Sequence, residues 1–293
     1  MPNIYVPINL AYDLYESSEG SDPNLTPIVL LHGLSSDRST WKYTAPIIAE
    51  KTRRKVYAYD ARNYGDSDYT DEFSFALNVK DHFHFMNVVN LKKAVLFGHS
   101  MGAFTAANAA IQKPTRVSMV ITEDTYLNPT NRKHSAFICR EYLRELSKAI
   151  SEIPSYMNEA EARRKIVDDM FEELSEANKK FLPKEISYKI LFPIKRDADG
   201  RYRAKYNEQS LDRNFSDPSF LHPEPVGLYE GPAVFFWGTK SNMDMMSHVP
   251  EIKKYFPNAE FIEFENGYHN LHGQFVEKSV DTVVQVLDKY NIS

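Results

Sequence analysis

Residues Val95-Leu-Phe-Gly-His-Ser-Met-Gly-Ala103 join a short apolar run to an Ala-rich segment through a Gly-x-Ser-x-Gly turn. The run Lys93–Phe97 has the length and composition of a strand, and Ala103–Ile111 predicts a helix. A serine between two glycines in this context is typical of a nucleophile elbow, whose strained turn lifts the hydroxyl above the sheet. The sequence therefore predicts Ser100 as a nucleophile, and the helix N-terminus behind it favours developing negative charge.

Apolar runs of strand length alternate with helical segments on both sides of this turn. The strands predicted before residue 126 are Pro27–Gly33, Lys55–Asp60, Lys93–Phe97 and Arg116–Thr122, and the helices between them are Trp41–Lys51, Phe75–Asn90 and Ala103–Ile111. This alternation predicts an α/β fold with a mostly parallel sheet of eight strands and helices on both faces. Tyr5–Glu16 alternates apolar and polar residues, which predicts an edge hairpin.

The predicted sheet places several loops at one edge. Ligands of parallel sheets bind at the carboxyl ends of the strands. We therefore expect the loops after Gly33, Asp60, Phe97 and Glu123 to open onto one crevice.

The character of the chain changes between residues 126 and 230, where it becomes polar, charged and mainly helical. Helices are predicted at Ser135–Leu146 and Glu159–Leu174, and Lys195–Gly200 predicts a turn between residues 189–193 and 201–206. Because this insertion is too long to be a loop, we predict a cap domain over residues 126–230. The core domain then comprises residues 1–125 and 231–293, and it ends in two more strands, each followed by a helix.

Composition and charge restrict the kind of partner. The net charge of −5 provides no basic surface for nucleic acid, so we expect no nucleic-acid partner. The chain has a single cysteine, Cys139, which excludes an internal disulfide framework and a thiolate zinc cluster. A protein of a reducing compartment fits this composition. No apolar run has transmembrane length, so we expect no stable membrane insertion. The first residues show no leader pattern, which predicts a cytoplasmic protein.

The proton acceptor for Ser100 should lie on another loop at the same sheet edge, because a serine hydroxyl is a weak nucleophile without a base. His269 follows the last predicted strand and comes directly after Asn266-Gly-Tyr268, which has the composition of a turn. The alternative is His272, whose position favours the start of the next helix. We predict His269 as the base.

A carboxylate must orient the imidazole and stabilise its charged form. Glu123 and Asp124 end one strand, and only one of them can face the crevice because consecutive strand residues point to opposite sides. The usual acid of this architecture follows the strand near residue 237, but Ser241 and Asn242 stand at that place. Asp244 lies further along. We predict Asp124 as the acid, with Asp244 as the alternative.

Attack by Ser100 on a carbonyl would create an oxyanion that needs two donors. The backbone N–H of Met101 is one by its position after the serine, and the N–H of Leu34 is expected to be the other. His32 is expected to shape the loop that carries Leu34. No Gly-rich phosphate loop and no cluster with metal-ligand spacing occur in the sequence, so we expect no cofactor and no metal.

Taken together, these segments resemble the α/β-hydrolase superfamily. The matching motifs are Leu31-His-Gly-Leu34, Asp60-Ala-Arg-Asn-Tyr-Gly-Asp-Ser67, Gly98-His-Ser-Met-Gly102 and Gly267-Tyr-His269. Within the superfamily the chain is most similar to a group of small bacterial acyl and thioester esterases that also contains the mitochondrial abhydrolase-domain protein eleven. The signs are Thr122-Glu-Asp124, Ser241 in place of the usual acid, and Asp199-Gly-Arg-Tyr-Arg203 in the insertion.

The resemblance implies an esterase or thioesterase with a triad of Ser100, Asp124 and His269. Its substrate would be a small-molecule acyl ester or thioester of short to medium chain length, and a mitochondrial location is the alternative to the cytoplasm. A hypothesis from another class is a ligand receptor on a hydrolase scaffold with slow or vestigial hydrolysis. Dehalogenase and epoxide-hydrolase chemistry needs an aspartate nucleophile, which Ser100 does not provide.

Overall fold

The computed structural model describes residues 5–127, 132–181, 183–190, 192–216 and 225–293. Nine strands occur in these parts of the chain. They are β1 (Tyr12–Tyr15), β2 (Ile28–Leu31), β3 (Val56–Tyr59), β4 (Ala94–His99), β5 (Val117–Glu123), β6 (Ile194–Arg196), β7 (Tyr202–Ala204), β8 (Ala233–Gly238) and β9 (Glu260–Phe264).

Eleven α-helices occupy the same described ranges. They are α1 (Ala45–Thr52), α2 (Phe75–Val88), α3 (Met101–Gln112), α4 (Arg132–Ser151), α5 (Glu159–Glu173), α6 (Glu176–Phe181), α7 (Lys184–Ser187), α8 (Glu208–Phe215), α9 (Val249–Tyr255), α10 (Leu271–Gln274) and α11 (Val276–Lys289). None of these helices combines the length and the apolar character that a bilayer crossing requires.

Seven strands form the main sheet in the order β1-β3-β2-β4-β5-β8-β9. Strand β1 pairs antiparallel with β3, and all other pairs are parallel. The mostly parallel α/β fold is thus confirmed, but the prediction of eight strands is wrong for the described residues.

The strand that is absent from the main sheet belongs to the N-terminal segment, where we predicted a hairpin of two strands. Residues 5–16 supply only β1. Pro7 cannot donate to a strand ladder. The N–H groups of Asn9 and Ala11 donate instead to the Asp68 carboxylate (2.8 Å) and the Ser67 hydroxyl (2.9 Å). These side chains take up the backbone donors that a second strand would have used.

Helices cover both faces of the sheet, as the alternation in the sequence predicts. Helices α1 and α11 pack on one face, where Ile28 and Leu30 point, and α2, α3 and α9 pack on the other, with Val29 and Leu31. All four residues of β2 are buried. Burial on both faces explains why the strands are continuous apolar runs rather than alternating ones.

The elbow turn depends on two glycines that bring α3 against the sheet. A Cβ atom on Gly98 would overlap the carbonyl oxygen of Gly102, and one on Gly102 would overlap the carbonyl oxygen of Leu31. Between them Ser100 has φ 52° and ψ −113°, a backbone conformation that is costly for a residue with a side chain. Both flanking positions must therefore lack a side chain.

We predict that Gly102→Ala lowers the free energy of unfolding by about 3 kcal/mol, because the new methyl group meets rigid backbone. Urea denaturation measures the loss. Gly20→Ala is the control: this glycine has φ +83° but no atom within 4 Å of the added methyl, so only the backbone term of about 1 kcal/mol applies. Equal losses in the two variants would contradict the close-packing argument.

The segment between β5 and β8 contains helices α4 to α8 and the β6–β7 hairpin, in agreement with the predicted mainly helical insertion. Residues 128–131, 182, 191 and 217–224 of this segment lie outside the described residues. The hairpin region is attached to the turn after β3: the Gly65 N–H donates to the Lys205 carbonyl (2.7 Å), and the Lys205 ammonium lies 3.3 Å from Asp66 and 3.4 Å from Asp37. The division into two domains stays a prediction.

Helix α2 carries a histidine, His82, that is fully buried under the sheet. Its Nδ1 lies 3.3 Å from the Tyr59 hydroxyl. Burial, with a smaller contribution from the positive charge of Arg116, lowers the pKa of His82 from 6.5 to about 3. The folded protein therefore keeps this imidazole neutral at pH values where the unfolded chain would protonate it.

We expect this burial to destabilise the protein as the pH falls below 6.5. Because the unfolded state then binds the proton first, lowering the pH from 6.5 to 5 should reduce the free energy of unfolding by about 2 kcal/mol through His82 alone. Urea denaturation at both pH values should show a smaller loss for His82→Gln. His84→Gln, on the same helix, is the matched control. An unchanged pH dependence in His82→Gln would contradict the prediction.

Candidate active site

Ser100 lies between β4 and α3, at the carboxyl edge of the sheet. Its N–H donates to the Glu123 carbonyl (3.0 Å), and its own carbonyl accepts the Phe104 N–H (2.9 Å). These bonds fix the turn to β5 and to the first turn of α3. The serine remains partly exposed and lines a cavity.

His269 lies in the loop after β9, and its ring contacts a carboxylate on β5's C-terminal side. The Nδ1 atom is 2.7 Å from Oδ2 of Asp124, and both residues are at least nine-tenths buried. Since an ionised carboxylate only accepts, Nδ1 carries the proton and Nε2 is the basic nitrogen of the neutral ring. His269 and Ser100 line the same cavity.

Asp124 is held by the loop after β8 as well as by His269. The Ser241 hydroxyl donates to Oδ2 (2.5 Å), and the Gly238 N–H lies 3.4 Å from Oδ1. Ser241 stands at the position where the resemblance places the acid of other hydrolases. In this chain that position contributes a hydrogen-bond donor to an acid from the neighbouring strand.

The structure places the alternative residues elsewhere. Asp244 has φ 45° and precedes the 3₁₀ helix Met245–His248, where its charge acts on His248. His272 lies in α10 and contacts Glu123 rather than Asp124. Asp124 and Glu123 thus face opposite ways, as expected for consecutive residues at a strand end. The choice of Asp124 and His269 as catalytic groups stays a prediction that this geometry favours.

We predict that Asp124→Asn lowers kcat for ester hydrolysis about 10⁴-fold, because the amide cannot hold His269 in the Nδ1–H tautomer. Asp244→Asn, the matched control, should retain turnover close to that of the wild type. Steady-state kinetics on a chromogenic ester measures both. Loss of activity in Asp244→Asn with full activity in Asp124→Asn would reverse the assignment.

The two backbone donors predicted for the oxyanion, Leu34 and Met101, both line the cavity beside Ser100. Met101 begins α3, and Leu34 belongs to the loop after β2. Nδ1 of His32 donates to the Gly33 carbonyl (2.8 Å), and its Nε2 accepts the Ala61 N–H (2.9 Å). Burial lowers the pKa of His32, so the neutral ring shapes this loop, as the sequence predicts.

The turn after Asp60, which we expected at the same crevice, contributes no described residue to the lining of this cavity. The Asp60 carboxylate accepts N–H bonds from Arg38 (2.7 Å) and Asp66 (2.8 Å) and also pairs with the Arg38 guanidinium. These contacts satisfy the carboxylate inside the turn. Asp60 therefore has a structural role: it holds its own turn against the segment around Arg38.

The cavity has a volume of about 360 Å³ and lies between the sheet edge and the helices of the insertion. It is lined mainly by apolar and aromatic side chains, among them Phe75, Phe104, Ala136, Ile138, Cys139, Tyr142, Ile190, Phe215 and Met243. Burial raises the pKa of the Cys139 thiol to about 12 and that of the Tyr142 hydroxyl to about 12, so both stay neutral. Such a lining suits an uncharged hydrocarbon chain.

One group of described side chains has the spacing of a metal site. Ligand atoms of His99, Glu123 and His272 lie within 4.8 Å of one another, all buried. The oxygens of Glu123, however, accept the N–H groups of Leu271 (2.8 Å) and His272 (3.2 Å) as well as the His272 ring. A cation would have to displace these bonds, so the contacts favour a hydrogen-bonded cluster.

The parallel sheet, the serine turn after its central strand and the insertion after β5 define an α/β hydrolase. The chain belongs to this family: the sequence profile of the alpha/beta hydrolase fold matches residues 26–275.

Curated relatives agree with the predicted resemblance. A zebrafish (Danio rerio) protein named "sn-1-specific diacylglycerol lipase ABHD11" is 27% identical over 96% of this chain and 82% of its own. The Mus musculus protein of the same name is 28% identical, over 96% of this chain and 86% of its own. "Ethanol acetyltransferase 1" of Cyberlindnera jadinii is 27% identical, over 91% of this chain and 82% of its own. The resemblance to the group of abhydrolase-domain protein eleven is thereby confirmed.

Solved structures show the same fold. A "Marine microorganism esterase" superposes with a TM-score of 0.73 at 24% identity, covering 96% of this chain and all of its own (100%). A "Thioesterase Domain From Curacin Biosynthetic Pathway" gives 0.64 at 17% identity, covering 94% and 99%. The predicted enzyme class, carboxylic ester hydrolase, is the class to which the named lipases and esterases belong.

Proposed function

We propose that this protein is a serine hydrolase that cleaves short- to medium-chain carboxylic esters or thioesters without a cofactor. The observation that carries the proposal is the 2.7 Å contact between His269 Nδ1 and the Asp124 carboxylate. It lies at the sheet edge where Ser100 and His269 line one apolar cavity.

Each residue of this site has a role in acyl transfer. His269 Nε2 removes the proton of the Ser100 hydroxyl as it attacks the acyl carbonyl, and then gives the proton to the leaving alcohol or thiol. Asp124 keeps the ring in the required tautomer and stabilises its charged form. The N–H groups of Met101 and Leu34 stabilise the oxyanion, and each such donor contributes about 10²–10³ in turnover. Water, activated by His269, then releases the acyl group from Ser100.

The cavity supports the choice of substrate size. Its volume of about 360 Å³ is near the lower end of the range of roughly 300–1,000 Å³ for ligand sites. The aromatic and aliphatic lining supports an acyl chain, and because Cys139 and Tyr142 stay neutral, the bound chain would not have to desolvate a charge there. We also propose that residues 126–230 act as a cap, because α4 and α8 supply part of this lining.

The relatives' names support acyl transfer as the common chemistry. They describe a diacylglycerol lipase, an ethanol acetyltransferase and an esterase. We propose water as the acceptor in this chain, and a glyceride belongs among the substrates to be tested.

The proposal predicts rapid hydrolysis of p-nitrophenyl esters, with an optimum at short to medium chains in a series from acetate to palmitate. Ser100→Ala should abolish turnover because it removes the nucleophile. The matching thioesters and a diacylglycerol extend the series. Covalent labelling of wild type, but not of Ser100→Ala, by a fluorophosphonate gives an independent readout.

Turnover near background that Ser100→Ala does not change would contradict the proposal. In that case the alternative of a ligand receptor on a hydrolase scaffold gains support. That alternative predicts tight binding of a ligand in the cavity and a partner that depends on it.

A further inference from the structure

Two buried acids are adjacent at the end of β5: Glu123 is its last residue and Asp124 follows it. The site described above uses only Asp124. The Glu123 side chain has no exposed surface and turns away from Asp124 towards α10. It accepts the N–H groups of Leu271 (2.8 Å) and His272 (3.2 Å), and its two oxygens lie 2.9 and 3.1 Å from the His272 Nδ1. One carboxylate thus holds both the backbone and the ring at the start of α10.

The opposite side of the His272 ring contacts the segment that follows the Leu34 loop. Its Nε2 lies 2.9 Å from the Thr40 hydroxyl, and the ring stacks on Trp41 at 4.1 Å between centroids. Because Glu123 accepts the Nδ1 proton, Nε2 is the acceptor and Thr40 the donor. Glu123, His272 and Thr40 therefore form a buried acid–histidine–hydroxyl chain beside that of Asp124 and His269.

His99, the residue before the nucleophile, lies between the two histidines. Its ring centroid is 4.8 Å from that of His269 and 5.1 Å from that of His272. Its Nε2 donates to the His269 carbonyl (2.9 Å), since a carbonyl can only accept. A Cβ atom on Gly33 would lie 2.6 Å from His99 Nδ1, so the ring also fixes how closely the Leu34 loop approaches.

The backbone that follows the His269 Cα atom is therefore fixed at three points. His99 fixes the carbonyl of His269 itself, and Glu123 fixes the N–H groups two and three residues later. Rotating this loop by a small amount would move the His269 ring relative to Ser100. A misplacement of about 1 Å in a catalytic group can cost roughly 10²-fold in rate.

We infer that Glu123, His272, His99 and Thr40 form a positioning network that sets the place of the His269 ring and of the Leu34 loop relative to Ser100. This inference rests on the proposed function. None of these four residues needs to exchange a proton with the substrate. The network links the ends of β5 and β4, the start of α10 and the segment after β2. The acid, the nucleophile, the base and one oxyanion donor lie directly beside these four places.

Two substitutions test the network without removing a catalytic group. His272→Gln should lower kcat about tenfold to a hundredfold with KM within about twofold, because substrate binding is retained while the base is misplaced. Thr40→Val keeps the volume of the side chain and removes only its donor, and it should lower kcat about threefold to tenfold. The rate of fluorophosphonate labelling at Ser100 should fall in parallel with kcat.

Matched controls separate positioning from a general loss of stability. His82→Gln replaces another fully buried histidine, and Thr282→Val removes a buried hydroxyl that donates within α11 (2.7 Å to the Lys278 carbonyl). Both should keep wild-type kcat per folded molecule, with the folded fraction measured by circular dichroism. Glu123→Gln adds a third test, in which an acceptor remains but the charge is lost.

The outcomes distinguish this inference from the proposed function. If Ser100→Ala abolishes hydrolysis while His272→Gln and Thr40→Val keep wild-type kcat, the positioning network is wrong and the serine hydrolase stands. A rise in KM at constant kcat would also overturn it, since that indicates a binding role. If wild-type turnover itself does not depend on Ser100, the proposed function has failed, and the positioning network fails with it.

Discussion

The backbone of α3 lies directly against that of β2, and the geometry of the site depends on this contact. Gly102 permits it, because any side chain there would overlap the Leu31 carbonyl. The close approach forces the chain to turn sharply at Ser100, with φ at 52°. The cost of this conformation is offset by the packing of β4 and α3 in the apolar core, where nearly every residue is buried.

The end of β5 adds a second constraint, namely two buried acids in adjacent positions. Like charges so close together are costly unless each is compensated by its own donors. Asp124 receives the His269 ring and the Ser241 hydroxyl, while Glu123 receives the His272 ring and two backbone N–H groups. The pleat of the strand separates the two acids and gives each a histidine from the same loop.

The insertion between β5 and β8 gives the site its apolar side. Residues of α4 and α8 join Phe75 and Phe104 of the core in one buried cluster that continues into the cavity lining. A low-polarity environment strengthens the electrostatic interactions of the buried polar groups at the sheet edge. The ion pairs of Lys205 with Asp37 and Asp66 tie this segment to the loops of the core.

Much of this protein could be predicted from local sequence. The periodicity of apolar residues located β2 to β5 and α2 to within a few residues, and the Gly-x-Ser-x-Gly pattern predicted the strained turn at Ser100, because these features depend on neighbours along the chain. The prediction of an eighth strand was wrong because the side chains of Ser67 and Asp68 bind the backbone that would have formed it. These residues lie more than fifty positions further along the chain. The alternation rule stated that Glu123 and Asp124 face opposite ways, but not which one faces the cavity.

That decision belongs to the tertiary structure. Only the order β4-β5-β8-β9 brings Asp124 to Ser241 and His269, which lie 117 and 145 residues further along the chain. The partners of Glu123 and the role of Ser241 as a donor were missed for the same reason. One signal was visible in the sequence: it contains two adjacent acids and, further along, two histidines three residues apart, His269 and His272. The sequence by itself determined the strands, helices and strained serine turn, which arise from local sterics and periodicity. The tertiary structure decided which acid meets which histidine, because hydrogen bonds between distant loops require the assembled sheet.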